Sequence, residues 1–315
     1  MEKRGILKLK TEGNFAKQKT RDLIFYICMV TIPCLQFLVF WVGTNIETIL
    51  LAFQSYDFIA GDYYFAGMSN FVSVFDTLVK TTDLTKSIIN GLIPQLLSYV
   101  ITWPLSLLFS FYIYKKRFGS DAFRSLIMLP SLVGGVAMTI ISIYLFENYI
   151  PEIWLKMFGS PIVSSGGLLS NSGTVYWTIV INGLWFAYGT SLLFYSSSMS
   201  QVDQSLVESA QLDGATNIQE MIYIILPGLW PMLVVFLSSG VCSFLTTDLG
   251  LYAYFELDAP IEARTLGYYI TQKTLQGGVA SYPACSALSL LTTVVAVPLT
   301  LLARGLLIKF GPSEE

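Results

Sequence analysis

The 315-residue sequence is 54% hydrophobic and only 12% charged, with a formal net charge of −3 and a mean hydropathy of +0.61. A water-soluble surface needs about a quarter of its residues charged. This composition therefore excludes an ordinary soluble domain and predicts that most of the surface faces lipid.

The sequence contains no histidine, and histidine is the commonest general base and metal ligand. Most hydrolase and metalloenzyme functions are thereby disfavoured, and we expect neither a catalytic residue nor a bound metal.

Six apolar runs, each long enough for a helix to cross a bilayer core, follow a basic segment at 1–22. Helices are the expected form, because an unpaired backbone group in lipid costs several kcal/mol and the alternating pattern of a membrane barrel is absent. The first run is too long for a signal peptide and lacks a cleavage site, so we expect it to be retained. The spans predicted within a permease domain at 23–310 are about 23–42, 87–114, 125–146, 174–199, 228–250 and 281–304.

The distribution of Lys and Arg predicts the orientation. The two termini and the 115–124 loop hold thirteen of these residues, whereas the three loops on the opposite side hold five. Both termini, including the tail at 311–315, are therefore expected in the cytoplasm of a bacterial or archaeal cell. The loop at 200–227 falls on the same side by parity.

Prolines within the predicted spans indicate breaks in the helices. Pro130, followed by Gly134 and Gly135, is expected to kink span 3, and Pro94 and Pro298 are expected to loosen spans 2 and 6. Such breaks are compatible with hinges in a protein that alternates between two arrangements of its helices. They are equally compatible with ordinary kinks that serve packing.

The 200–227 loop is predicted to fold as two helices around a glycine turn. Gln204–Leu212 holds good helix formers, and Gly214 permits the left-handed turn that ends a helix. Thr216 or Asn217 can cap a second helix, with Glu220 favourably placed near its N-terminus. That second helix is expected to end before Pro227, since the residue before proline avoids the α conformation.

This loop resembles the EAA motif of ABC-importer permeases, in which Glu-Ala-Ala, Gly and Ile-x-Leu-Pro recur at fixed spacing. Every spacing is matched, and Ser209 replaces the first Ala. Three segments are similar to the carbohydrate-uptake branch of that family: the Asp-Gly-Ala continuation, AGMSNFVSVF at 66–75 and the stretch 265–291. One segment departs from that branch, since ELDAP stands at 256–260 where Gly-Gly-Gly-Pro is common. The residues expected to couple to an ATPase are Glu208, Ser209, Ala210, Asp213, Gly214, Ala215, Ile224, Leu226 and Pro227.

The resemblance implies an all-α membrane protein with the MetI-like fold of type I ABC importer permeases. In that family the EAA loop seats in a cleft on a cytoplasmic ATPase. This sequence has no GxxxxGK[ST] loop, so ATP and Mg²⁺ are expected on two separate ATPase chains, and the chain itself is expected to bind no cofactor. The other implied partners are a second permease (more readily a different chain than a copy), an extracytoplasmic solute-binding protein, membrane lipid and a carbohydrate. No nucleic-acid partner is expected.

Span 5 offers candidates for the substrate path. The helical period places Gly240, Phe244 and Thr247 on one face, with Ser243 beside them. Asp248 is the only acid near the end of this span, and it is either a functional group or an interfacial residue facing water. In maltose-type relatives spans 4 and 5 contact the sugar, and the matching span 5 positions here are Gly240, Ser243, Phe244 and Asp248.

Span 4 offers a second set of candidates for the substrate path. The resemblance places sugar contacts at Gly183, Ala187 and Thr190, while Trp185 and Tyr188 could stack on a sugar ring or simply serve packing. Several of these residues are too small to grip a sugar. That departure favours either a roomier path or contacts made mostly by the partner permease.

Two other functions remain open at this point. An ion-driven secondary carrier usually needs acidic or histidine chains within its spans, and the apolar runs lack them. An ABC permease for a solute other than a sugar would share the same motif. On family grounds the resemblance favours an oligosaccharide over a monosaccharide.

Overall fold

The computed structural model describes residues 21–164 and 166–312. Most of the predicted N-terminal segment at 1–22 and of the tail at 311–315 lies outside the described residues. The helices are α1 (Arg21–Ala52), α2 (Ser69–Lys80), α3 (Thr82–Tyr114), α4 (Ser120–Leu132), α5 (Gly135–Phe158), α6 (Val175–Met199), α7 (Gln204–Leu212), α8 (217–246), α9 (Leu251–Phe255), α10 (Leu266–Gly277) and α11 (Tyr282–Phe310). A short antiparallel hairpin, β1 (Gln54–Asp57) and β2 (Asp62–Phe65), follows α1.

Five stretches of helix, containing α1, α3, α6, α8 and α11, are long and apolar enough to cross a membrane, and the α4–α5 pair makes a sixth crossing if it is counted as one span. The prediction of an all-α membrane protein with about six spans is therefore confirmed. The helices extend beyond the apolar runs; α1, for example, continues to Ala52.

The third crossing is divided, whereas the sequence predicts one run at 125–146. α4 and α5 meet at an angle of 100°, because Val133 and Gly134 are both extended, with ψ near 138° and 139°. Pro130 lies in the last turn of α4 and removes a backbone donor there. The expected break at Pro130 and the two glycines is confirmed, and it is a sharp bend rather than a mild kink.

The start of α8 corrects another expectation. The helix does not end before Pro227; it runs from Asn217–Glu220 through a π-helical turn at Met221–Ile225 into Leu226–Thr246. The wider turn ends two residues before Pro227, which lacks the N–H that would donate to the helical hydrogen-bond ladder. The proline is therefore accommodated inside a continuous helix.

Close packing of α3 on α8 depends on Gly91. A Cβ atom at Gly91 would lie 2.3 Å from the backbone oxygen of Phe244, and a backbone atom cannot move aside cheaply. We expect Gly91→Ala to lower the free energy of unfolding by about 1–3 kcal/mol through overpacking, measured by denaturation of the purified chain in detergent. Gly305→Ala is the matched control, since nothing lies within 4 Å of a Cβ there. Equal stability of the two variants would contradict this packing.

Candidate functional site

The predicted EAA loop forms a helical projection at one end of the bundle, here defined as residues 203–227. Asp203 caps α7 by accepting a hydrogen bond from the Ser205 N–H at 2.9 Å, and this backbone bond holds the pKa of Asp203 below its usual value. α7 ends at Leu212, and the turn that follows contains Gly214, whose φ of +83° is left-handed. The Ala215 N–H then donates to the Ala210 carbonyl at 2.9 Å.

A capping box begins the second helix of the projection. The Thr216 hydroxyl accepts from the Gln219 N–H, and the Gln219 side chain accepts from the Thr216 N–H at 2.8 Å. The predicted order of helix, glycine turn and capped helix is therefore confirmed, including the bounds Gln204–Leu212.

The projection is anchored in the core of the spans. Val207 of α7 and Ile225 of α8 are fully buried, in one cluster with Leu107 of α3, Met199 of α6 and Leu233 of α8. The motif residues Ile224 and Leu226 pack against the same cluster. The projection therefore packs directly against three spans, α3, α6 and α8.

The opposite face of the projection is exposed and partly apolar. Leu212 is 89% exposed, and Ile218 and Tyr223 are also largely open. Glu208, Ser209, Asp213 and Gly214 are exposed, Ala210 and Ala215 are half-buried around the turn, and Pro227 is half-buried beneath it. The motif residues thus divide into an inward anchoring set and an outward set. Exposed apolar side chains at a helical tip are typical of a protein-binding surface.

A buried ion pair holds the projection to the 115–119 loop. Glu220 is 1% exposed, and its Oε2 accepts from Lys115 Nζ at 2.5 Å and from Gln211 Nε2 at 3.2 Å. The second carboxylate oxygen, Oε1, is buried and has no hydrogen-bond partner. This contact is not predicted from the sequence, in which Glu220 is recognisable only as a favourable residue near a helix N-terminus.

A central cavity of about 760 Å³ lies between α3, α4, α5, α6, α8 and α9. Its wall is largely apolar, and the polar side chains in it are amides and hydroxyls. Ser243 donates to Gln95 Oε1 at 2.6 Å, and Asn182 donates to Ser142 at 3.3 Å and to the Tyr254 hydroxyl. Groups that both donate and accept hydrogen bonds are suited to binding hydroxyl-rich solutes.

Four residues of the predicted path line this cavity, namely Gly183, Thr190, Ser243 and Thr247. The other six lie elsewhere on its helices or at its edge. For three of them the structure gives a specific contact. Gly240 lies against Tyr99, and Phe244 packs against a hydrophobic core cluster. Asp248 accepts a hydrogen bond from the Gly250 N–H at 3.0 Å and so closes a turn. The remaining three are Trp185, Ala187 and Tyr188.

Several polar residues of the cavity are not among the predicted ones, and three of them, Gln95, Asn182 and Tyr254, form the hydrogen bonds described above. Gln95 and Asn182 are amide side chains in apolar runs, where an unpaired polar group is costly. That cost is a sequence signal that could have identified both. Within the described residues, no group of three or more His, Cys, Asp or Glu side chains is placed to hold a metal ion.

Long apolar helices around a cavity whose largely apolar wall carries uncharged hydrogen-bonding groups, with a helical projection at one end, are typical of a membrane transport subunit. The chain belongs to the family described as "Binding-protein-dependent transport system inner membrane component", whose model matches residues 101–310. The resemblance found in the sequence is thus confirmed. The family consists of multi-pass transport subunits rather than enzymes.

Two curated relatives come from Bacillus subtilis (strain 168). The arabinooligosaccharides transport system permease protein AraP is 24% identical, with 84% of this chain and 83% of AraP covered. The polygalacturonan/rhamnogalacturonan transport system permease protein YteP is 25% identical, with 94% of each chain covered. A chain from the crystal structure of a bacterial ABC transporter that imports the acidic polysaccharide alginate superimposes with a TM-score of 0.75 at 21% identity, covering 94% of this chain and 99% of that one. At that identity the likeness shows the fold.

Proposed function

We propose that this chain is a transmembrane permease subunit of an ATP-driven, binding-protein-dependent carbohydrate importer. Family membership supports the transport role. The relatives AraP and YteP are named for oligosaccharide and polysaccharide transport, which supports a carbohydrate substrate, with an oligosaccharide favoured.

The observation that carries the coupling part of the proposal is the projection. Its exposed tip around Leu212 and Ile218 offers an apolar surface to a cytoplasmic ATPase, and its buried Val207 and Ile225 join that tip to three spans. Closure of two ATPase chains would move two such projections, one on each permease. The partner permease would complete the cavity wall opposite α3 and α6.

The substrate would then pass by alternating access. An extracytoplasmic binding protein delivers the sugar at the side opposite the projection, and ATP binding favours one packing of the spans. Such a shift requires that the ATPase bind the two packings with different affinities. The bent α4–α5 pair borders the cavity and provides a joint at which the packing can change.

Reconstitution in liposomes tests the proposal. The chain is combined with its genomically adjacent permease, ATPase and binding protein, and labelled oligosaccharide uptake is followed. We expect accumulation only when ATP and the binding protein are both present, with no uptake driven by an imposed proton or sodium gradient. Gradient-driven uptake without the ATPase would overturn the proposal in favour of a secondary carrier.

A further inference from the structure

The walls of the central cavity carry no charge. None of the side chains that line it, all within the described part of the chain, is Asp, Glu, Lys or Arg. The polar groups there are hydroxyls and amides, among them Ser98, Ser131 and Thr139 as well as Gln95 and Asn182. Each of these can donate and accept a hydrogen bond, which matches the same dual capacity of a sugar hydroxyl.

A carboxylate would be poorly accommodated in this cavity. Moving an anion out of water costs far more than moving a hydroxyl, unless a cation or several aligned donors compensate. No cationic side chain among the described residues of this chain lines the cavity, and part of the donor capacity is already used between side chains. Ser243 donates to Gln95, and Asn182 donates to Ser142 and Tyr254.

The approach to the cavity also disfavours anions. The three loops on the side opposite the projection, at 43–86, 147–173 and 248–273, hold eleven Asp and Glu residues against five Lys and Arg residues. An excess of negative charge on this side repels an anionic solute that a docked binding protein releases there. This observation is independent of the cavity lining and points the same way.

From these two observations we infer that the substrate is an uncharged glycan, and that this chain selects against glycans bearing uronate or phosphate groups. The inference rests on the proposed function and deepens it. It separates this chain from the structural neighbour involved in the import of alginate, an acidic polysaccharide, and from the relative YteP, which is named for polygalacturonan, a polyuronate. Selection arises in the membrane step, in addition to any selection by the binding protein.

The test uses the complete reconstituted transporter and two matched pairs of oligosaccharides. Gluco- and galacto-oligosaccharides are compared with their C6-oxidised uronate forms of the same chain length. The affinity of the binding protein for each probe is measured separately, so that uptake is expressed per loaded binding protein. We expect the neutral form to be taken up about tenfold faster or more than its uronate counterpart.

A gain-of-function variant sharpens the test. Thr190 lines the cavity and is exposed, so Thr190→Lys adds a cation without disturbing a buried contact. We expect this variant to narrow the neutral-to-uronate ratio, while Thr190→Met, which adds length without charge, leaves the ratio unchanged. Size-exclusion chromatography of the two variants is the check that both assemble.

The outcomes separate the two claims. Wild-type uptake of the uronate form at a rate equal to that of the neutral form would overturn this inference and leave the proposed function standing. An unchanged ratio in Thr190→Lys would also contradict it. ATP-dependent uptake of neither form would overturn the proposed function, and this inference with it.

Discussion

Replacement of Gly214 by Asp is expected to lower ATP-dependent uptake about tenfold or more while leaving the helical content of the chain unchanged. The backbone at Gly214 is left-handed, with φ +83°, and nothing lies within 4 Å of a Cβ built there. A side chain in this conformation costs about 1–2 kcal/mol, so the turn is weakened without a clash in the core. The added carboxylate also lies on the exposed face proposed to meet the ATPase. Copurification of the ATPase and uptake in liposomes are the two measurements.

Gly61 provides the matched control. Its φ is +70°, it also has open space around a Cβ, and it lies in the β1–β2 hairpin far along the chain from the projection. Gly61→Asp is expected to retain copurification of the ATPase, because the same backbone strain is placed elsewhere. Glu208→Lys tests the exposed face without changing the turn. If Gly214→Asp and Glu208→Lys both keep normal uptake and ATPase coupling, docking through the projection is wrong.

The projection is the part of the site that the sequence predicts best, because its signals are local. A helix N-cap, a glycine after the last turn and a capping box each act within a few residues. Gln204–Leu212 and the turn at Gly214 accordingly appear where they are expected. The expected end before Pro227 is wrong for a local reason too: a π-helical turn is not visible in a residue pattern.

The cavity is predicted less well, because its walls converge from separate spans. Gln95 and Ser243 are 148 residues apart in the chain, and Asn182 and Tyr254 are 72 apart. Helical periodicity assigns residues to a face of one helix, but the face that meets the cavity depends on how the helices pack. Ser243 and Thr247 line the cavity, whereas Gly240, predicted on the same face as Thr247, packs against Tyr99.

The Lys115–Glu220 ion pair is likewise not predictable from a local sequence pattern, because the two residues are 105 positions apart in the chain. We expect Lys115→Met to lower the free energy of unfolding by about 3–5 kcal/mol, the cost of leaving one member of a buried ion pair without its partner. Glu220 is 1% exposed and one of its oxygens already lacks a partner, so the remaining contact with Gln211 at 3.2 Å cannot replace the lysine. Denaturation of the purified variant in detergent measures the loss.

A double variant separates the charge from the packing. Lys115→Met combined with Glu220→Gln removes both charges and keeps the shape of the site, and we expect it to be more stable than Lys115→Met alone, because no buried charge is left without a partner. The exposed pair of Lys156 and Glu152, at 2.7 Å on α5, provides the control. Lys156→Met is expected to leave stability within the error of the measurement, since solvent screens that pair. Equal losses for Lys115→Met and Lys156→Met would show that the ion pair does not hold the projection to the 115–119 loop.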